Sequence, residues 1–337
     1  MLKDLRVMII IISMNQSKSM LKKVVVVGGG NGSAISLNAV KKIDDDLQIS
    51  AVVSMSDSGG STGRLRNEFD TLPPGDVMRA VLAMSPYHYP LLKKIFYKNR
   101  FEGVGKLDKH NLGNLFLVLT EKYNSDYIQS IRALEQSIDA VGHVYPVTLN
   151  KTDLVAELDS GVIVKGEAEL DEPEYDKSLR IKKAWLEPEA EIYEDAKKVL
   201  EEADYVLLGP GSLYTSIVAT TLAKGFKEAL EKSKAKLIYI AGNARHTAGE
   251  TGPKKVSQAV QELQNYLPRK LDVAVYNNHK LTKEEQEFYD LRGWETIPCD
   301  VENCDCEVVQ GDFERSGGGL CDEKLGEILE DIIRKDL

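Results

Sequence analysis

Cysteine is scarce in this 337-residue chain: four residues, none before position 299, at Cys299, Cys304, Cys306 and Cys321. That excludes a secreted domain stapled by disulfides and makes a reducing, cytoplasmic setting the simpler expectation. Long basic runs are missing as well, and the net charge is −10. Nucleic acid or an anionic membrane would require a clustered cationic face, so neither is expected as a partner. A small anionic ligand survives that test, because a few backbone amides and one arginine can hold a phosphate inside an acidic protein. No apolar run is long enough to span a bilayer. VMIIII at 7–12 is followed by a polar stretch rather than a small-residue cleavage site. Met14 and Met20 are alternative starts, and residues 1–20 read as a non-native or disordered extension. HExxH, GxxxxGK[ST] and a Ser-His-Asp order are all absent. His88, His110, His143, His246 and His279 are scattered, so spacing assigns none of them as a general base.

What is present is alternating strand and helix punctuated by glycine. KKVVVV at 22–27 is a continuous β-branched run, suited to a strand buried on both faces of a parallel sheet. GGGNGS follows at 28–33. Ala34, Ile35, Leu37, Ala39, Val40 and Ile43 then mark a helix ending in the acids at 44–46, and 49–54 is a second buried strand. This is one β–loop–α–β unit of dinucleotide-crossover size. A long loop is expected at 55–74, then a helix with Asp76 as its N-cap and Val77, Ala80, Val81 and Met84 on one face. Helical patterns continue at 89–98, 111–123 and 125–141. Short β pieces at 144–149, 154–158, 162–164 and 179–186 predict a small antiparallel excursion over about 144–187. The rhythm resumes with a helix at 192–202, a strand at 205–208, a glycine loop, a helix at 212–222 and strands at 236–241 and 273–276. The expectation is a Rossmann-like three-layer α/β/α fold with a mostly parallel sheet and a small β-rich insertion, residues 21–337 forming a single domain.

Five stretches carry candidate chemistry. Gly29, Gly30, Asn31, Gly32 and Ser33 lie between strand and helix, where backbone amides can cradle a phosphate. The match to GxGxxG is imperfect, and Ser54-Met55 stands where the ribose-binding acid of an NAD site would be. An unliganded tight turn is the alternative. SMSDSGGSTGRLR at 54–66 offers Asp57, Gly59, Gly60, Ser61 and Arg64 at the same sheet edge. Asp57 is its candidate Mg²⁺ ligand; a plain surface loop is the alternative. Asp76 and Arg79 follow the proline-stiffened PPG turn, which a helix cap alone would also explain. Asn111 and Asn114 lie one turn apart and either bind ligand or cap backbone. Gly209, Gly211 and Ser212 repeat the strand–glycine–helix logic in the second half, with an ordinary capped helix as the competing reading. The four cysteines lack paired CxxC knuckles, so free or buried thiols are favoured over a zinc site.

Taken together, GGGNGSAISLNAVK, SMSDSGGSTGRLR, LPPGDVMRAVLAM, HNLGNLFL, GHVYPVT, LGPGSLYTSI and AGET, covering about 22–280, resemble the gluconeogenesis factor family (YvcK-like). That family belongs with the 2-phospho-L-lactate transferase (CofD-like) superfamily. The resemblance implies a Rossmann-like fold, a cytoplasmic bacterial-type protein and binding of a UDP-sugar such as UDP-N-acetylglucosamine. It also implies a role in cell shape and wall-precursor metabolism, without established turnover or a required cofactor. By motif, Gly29, Gly30, Asn31 and Gly32 would hold phosphates, and Asp57 would be the first acid of an Asp-Asp pair. Gly209, Gly211 and Ser212 would approach the nucleotide. The chain departs from the family at Asn31, where Thr is usual, at Ser58, where the second acid would be, and at Lys109-His110-Asn111 for Gly-His-Ser. One carboxylate plus substrate phosphates is a thin Mg²⁺ site, which favours a nucleotide-binding regulator over a Mg²⁺-dependent transferase. A small-molecule nucleotide is the expected partner, and a homodimer is compatible with the sequence.

Overall fold

The computed structural model describes residues 21–43 and 47–335. The extension expected at 1–20 and the acids at 44–46 lie outside the described residues. Valine dominates β1 (Lys22–Gly28), and Val24, Val25, Val26 and Val27 are buried. A strand that can present both faces to apolar neighbours belongs at the centre of a parallel sheet. It pairs in parallel with β2 (Leu47–Val53), which pairs in parallel with β3 (His143–Pro146).

Between the halves of the sheet, β4 (Asp153–Leu158), β5 (Ile163–Lys165) and β6 (Ile181–Glu187) form a separate antiparallel sheet in the order β5-β4-β6. The parallel sheet then resumes with β7 (Tyr205–Leu208) and β8 (Lys236–Ala241). After β9 (Ala244–His246) come β10 (Val273–Asn277), β11 (Trp294–Thr296) and β12 (Glu307–Gly311). The order β12-β10-β8-β7-β1-β2-β3 gives seven parallel strands, with helices on both faces. Chain order reverses between β1 and β7. Such a reversal opens a crevice at the carboxyl ends of the strands. Both glycine loops emerge there.

Three expectations change. The antiparallel lobe begins at 153, not 144, because β3 is an edge strand of the main sheet, with Ser50 opposite His143 and Val53 opposite Pro146. The loop expected at 55–74 contains a helix, α2 (Gly60–Phe69), which follows α1 (Gly30–Lys41). Three glycines and five hydroxyls across 54–66 hide a helix whose inner face rests on Ser61, Thr62 and Leu65. Asp76 is not an N-cap. The next helix, α3 (Gly75–Met84), is capped by Pro74, and Asp76 lies in its first turn with its side chain turned to another loop. Every residue of α3 except Arg79 is buried.

The pattern did not announce β12 or the closing helix. Here α4 (Leu112–Asn124), α5 (Glu167–Asp171) and α6 (Asp322–Lys335) complete the elements relevant to the site. Helix α6 packs on α1, burying Leu325, Leu329 and Ile333, and Lys42 pairs with Asp322 at 2.9 Å. No described helix is long and apolar enough to cross a membrane.

Candidate functional site

The first glycine loop gives α1 an N-terminus with no side-chain cap and no acid in its first turn. Backbone donors of this kind attract anions. Gly30 takes φ +66°, a left-handed conformation that glycine adopts without steric cost. Its amide donates to Asp76 Oδ1 at 2.9 Å. Gly32 is small for a different reason: a Cβ there would sit 1.9 Å from the Pro210 carbonyl oxygen. The two glycine loops therefore abut across the β1–β7 reversal.

A polar cavity of about 570 Å³ opens at this junction. The predicted residues Gly29, Gly30, Asn31 and Gly32 form one wall, and Gly211 and Ser212 another. Asp57 and Gly59 come from the turn before α2, Gly60 and Ser61 from its start, Asp76 from α3 and Asn114 from α4. Four predicted residues lie behind this lining or away from it. Ser33 is fully buried and bonds back to the Gly30 carbonyl at 3.3 Å. The Gly209 carbonyl accepts from Ser36 Oγ at 2.6 Å and ties the second loop to α1. Asn111 caps α4, its Oδ1 accepting from the Asn114 amide at 2.8 Å, so the capping alternative holds for it. Arg64 is exposed and donates to the Asp108 carbonyl.

Arg79, the one α3 side chain that reaches outward, lies 3.2 Å from Asp76 and 3.7 Å from Asp57. Two more acids enter from α5 in the antiparallel lobe. The Ser58 amide donates to Glu167 Oε2 at 3.3 Å, and the Ser58 hydroxyl accepts from the Ala168 amide at 3.0 Å. Asp171 accepts from Ser212 Oγ at 3.4 Å and from Thr215 Oγ1 at 3.3 Å. Helix α5 thus straps the first half of the site to the second. Burial pushes Asp76 up to about 6, despite the opposing charge of Arg79. Burial, with the neighbouring charges of Asp57, Asp171 and Asp76, pushes Glu167 up to about 8. These acids surround the place where Ser58 replaces the expected second carboxylate.

Ser61 Oγ lies 2.8 Å from His110 Nδ1 and accepts from Asn114 Nδ2 at 3.1 Å. Burial and the charge of Arg64 hold His110 below its ordinary pKa. Asn111 Nδ2 and Asn114 Oδ1 are buried without a partner among the described residues. An unpartnered buried amide is costly, and Asn114 lines the cavity.

A second cavity, of about 770 Å³, continues from the first and shares Gly32, Gly211, Ser212, Asp171 and Glu172 with it. Its lining is more apolar and includes Tyr239, Tyr289, Trp294 and Ile297. Glu250 stands between this cavity and the second loop. Its carboxylate accepts the Tyr214 amide at 3.0 Å and the Thr215 amide at 2.7 Å, and burial raises it to about 7. Glu250, rather than Ser212, satisfies the N-terminus of the helix Leu213–Val218.

With this geometry the chain can be placed among known proteins. A profile of the family described as 2-phospho-L-lactate transferase CofD matches residues 24–314. Gluconeogenesis factors of Bacillus subtilis and Listeria innocua are 32% and 31% identical. The alignments cover 93% and 94% of this chain, and 94% and 96% of theirs. The chain belongs to the gluconeogenesis factor family, within the CofD-like superfamily. A Thermotoga maritima protein given the same name provisionally is 36% identical over 86% of this chain and 90% of its own length. A crystal structure of a Bacillus halodurans protein superposes with a TM-score of 0.82 at 29% identity, covering 92% of this chain and 99% of that one.

Glu167, Asp171 and Glu250 were not among the candidates read from sequence, and Arg79 was named beside Asp76 without a role of its own. Arg79 had a signal, one helical turn after Asp76 in PPGDVMR. Glu167 and Asp171 had none, since only the docking of the lobe brings them to the glycine loops. Among the described residues, the one cluster of metal-ligating side chains within 4.8 Å is Cys321, Asp322 and Glu323, at the start of α6. The four cysteines are free thiols and do not gather into a thiolate site.

Proposed function

We propose that this member of the gluconeogenesis factor family binds a nucleotide sugar of the UDP-N-acetylglucosamine type. In that reading it acts in the cytoplasm as a regulator of cell shape and wall-precursor supply, with no required cofactor. The observation that carries the reading is the junction of two unlike cavities at Gly32 and Gly211. A polar chamber at an uncapped helix N-terminus suits a diphosphate, and the adjoining apolar chamber suits a base or sugar ring. Hydride chemistry is disfavoured, because β2 is followed by Ser54, whose hydroxyl is 2.9 Å from that of Ser56, rather than by a ribose-binding acid.

A second reading, a Mg²⁺-dependent transferase moving a phosphoester-linked group to an acceptor hydroxyl, draws support from Asp57, Asp76, Glu167 and Asp171 around one cavity. These acids enlarge what Asp57 could offer alone. Asp57, with Asp76 beside it, would hold the ion, which would neutralise charge on the phosphates. Arg79 already occupies the space between those two carboxylates, which favours the binding reading. Calorimetry with UDP-N-acetylglucosamine, GDP and NAD, with and without Mg²⁺, separates the two. Tight UDP-sugar binding that ignores Mg²⁺ supports the regulator, and Mg²⁺-dependent GDP binding supports the transferase. Failure of every nucleotide to bind would overturn both.

A further inference from the structure

Three cations surround one aromatic ring at the outer rim of the polar cavity. From the Tyr97 centroid, the Arg79 guanidinium carbon lies at 5.1 Å, that of Arg100 at 5.6 Å and Lys93 Nζ at 5.8 Å. Lys93 is also 5.8 Å from the Tyr89 ring, so it sits between two tyrosines. The wide π-helical turn Lys93–Lys98 brings Lys93 and Tyr97 to the same side. Segments of that geometry are uncommon and concentrate at functional sites.

The three charges are not balanced alike. Arg79 is matched by Asp76 and Asp57. Lys93 donates instead to the Asn31 amide oxygen at 2.9 Å, and Arg100 to the Lys109 carbonyl at 2.7 Å. Both partners are neutral, and among the described residues neither cation has a carboxylate within salt-bridge distance. The charges of Lys98 and Arg79 add to burial in depressing the Lys93 pKa. In a chain of net charge −10, like charges held together without carboxylates are an unbalanced feature. An anion would balance it. Tyr97 and Arg100 line the same cavity as Gly30 and Asn31, whereas the Lys93 amine approaches that cavity through Asn31.

We propose that Lys93 and Arg100, gathered on the Tyr97 ring, form a second anion subsite at the mouth of the nucleotide cavity. It takes the phosphate or carboxylate group of a second small ligand bound beside the nucleotide. The proposal rests on the reading that residues 29–32 hold the nucleotide phosphates. Asn31 then links the subsites, touching Lys93 with its side chain and the phosphate loop with its backbone.

The test is calorimetry with inorganic phosphate and with malonate, on the unliganded chain and on the chain saturated with UDP. Phosphate or malonate is expected to bind in both states, the stronger of the two identifying the anion class. Lys93→Gln with Arg100→Gln should weaken that binding by about tenfold or more while changing UDP affinity by less than about threefold. Gly30→Val should show the reverse, losing UDP and keeping the anion. Lys93→Arg with Arg100→Lys should restore it, which separates charge from folding. The proposal is overturned if neither anion binds, if the double glutamine variant binds the anion unchanged, or if UDP displaces it competitively. If UDP fails to bind while the anion binds and depends on Lys93 and Arg100, the subsite stands and the nucleotide reading falls.

Discussion

The two glycine loops occupy equivalent places on the sheet and end differently. At the first, α1 begins with no side-chain cap, and its Gly30 amide is met from the side by Asp76. At the second, the amides of Tyr214 and Thr215 are already filled by Glu250. At the first N-terminus a protein carboxylate, Asp76, takes the Gly30 amide alone, whereas at the second Glu250 takes two successive amides. One motif, strand then glycine then helix, therefore does two jobs. The first loop is the candidate phosphate cradle, and the second is a wall that fixes the width of the junction.

The largest way to break this comparison is to push the loops apart. Gly32→Ala places a Cβ against the Pro210 carbonyl oxygen, 1.9 Å away in the native arrangement. It should abolish UDP-sugar binding and cost about 3 kcal/mol in a denaturant titration. Wild-type affinity and midpoint would show that the loops do not depend on each other. Next comes Glu250→Ala, which strips the second helix of its anion and leaves two amides unpaired. A loss of about 2 kcal/mol is expected, with Glu250→Gln intermediate; equal stability of the three proteins would remove Glu250 from its capping role.

A smaller effect concerns protonation. The folded-state value of Glu167, about 8, lies above its ordinary 4.5, so the native chain binds that proton more tightly. Its contribution to stability is fully present below pH 4.5 and is lost as pH rises through 8. Asp76, at about 6, and Glu250, at about 7, act with the same sign. The unliganded protein should melt at a lower temperature at pH 8.5 than at pH 5.5. Glu167→Gln should flatten that slope and gain ~1 kcal/mol at the higher pH. A slope unchanged by the substitution would mean that Glu167 does not titrate there. The smallest effect sharpens the contrast. Ser212→Ala should change stability by no more than ~0.5 kcal/mol, because the hydroxyl caps nothing and its bond to Asp171 is long, at 3.4 Å. A loss near that of Glu250→Ala would restore the hydroxyl-cap reading.

Much of the fold was legible because its signals are local. Four consecutive valines before three glycines can hardly be anything but a buried strand leading into a turn, and the strand at 205–208 with its own glycine loop repeats the message. Where local signals conflicted, the reading slipped. The stretch 54–66 has loop composition, yet it contains a helix that is held by neighbours rather than by propensity. His143–Pro146 has the texture of the antiparallel lobe and pairs instead with β2. Asp76 has the look of a helix cap, which its hydrogen bond to Gly30, forty-six residues away in the chain, contradicts. The site divides in the same way. Gly29, Gly30, Asn31 and Gly32 were identifiable because their chemistry belongs to the backbone beside them. Glu167 and Asp171 were not, because a short lobe helix with acids is indistinguishable in sequence from a solvated turn.

The sequence by itself determined the strand–glycine–helix units, the family, and the residues of the first loop, since each depends on neighbours a few positions apart. Tertiary structure alone decided that α5 straps the two loops, that Glu250 fills the second helix N-terminus, and that Arg79, Lys93 and Arg100 meet around Tyr97. Those contacts depend on how the lobe and loops dock at the β1–β7 reversal. Charge interactions act through space, so residues remote along the chain acquire their electrostatic roles only once folding sets their distances.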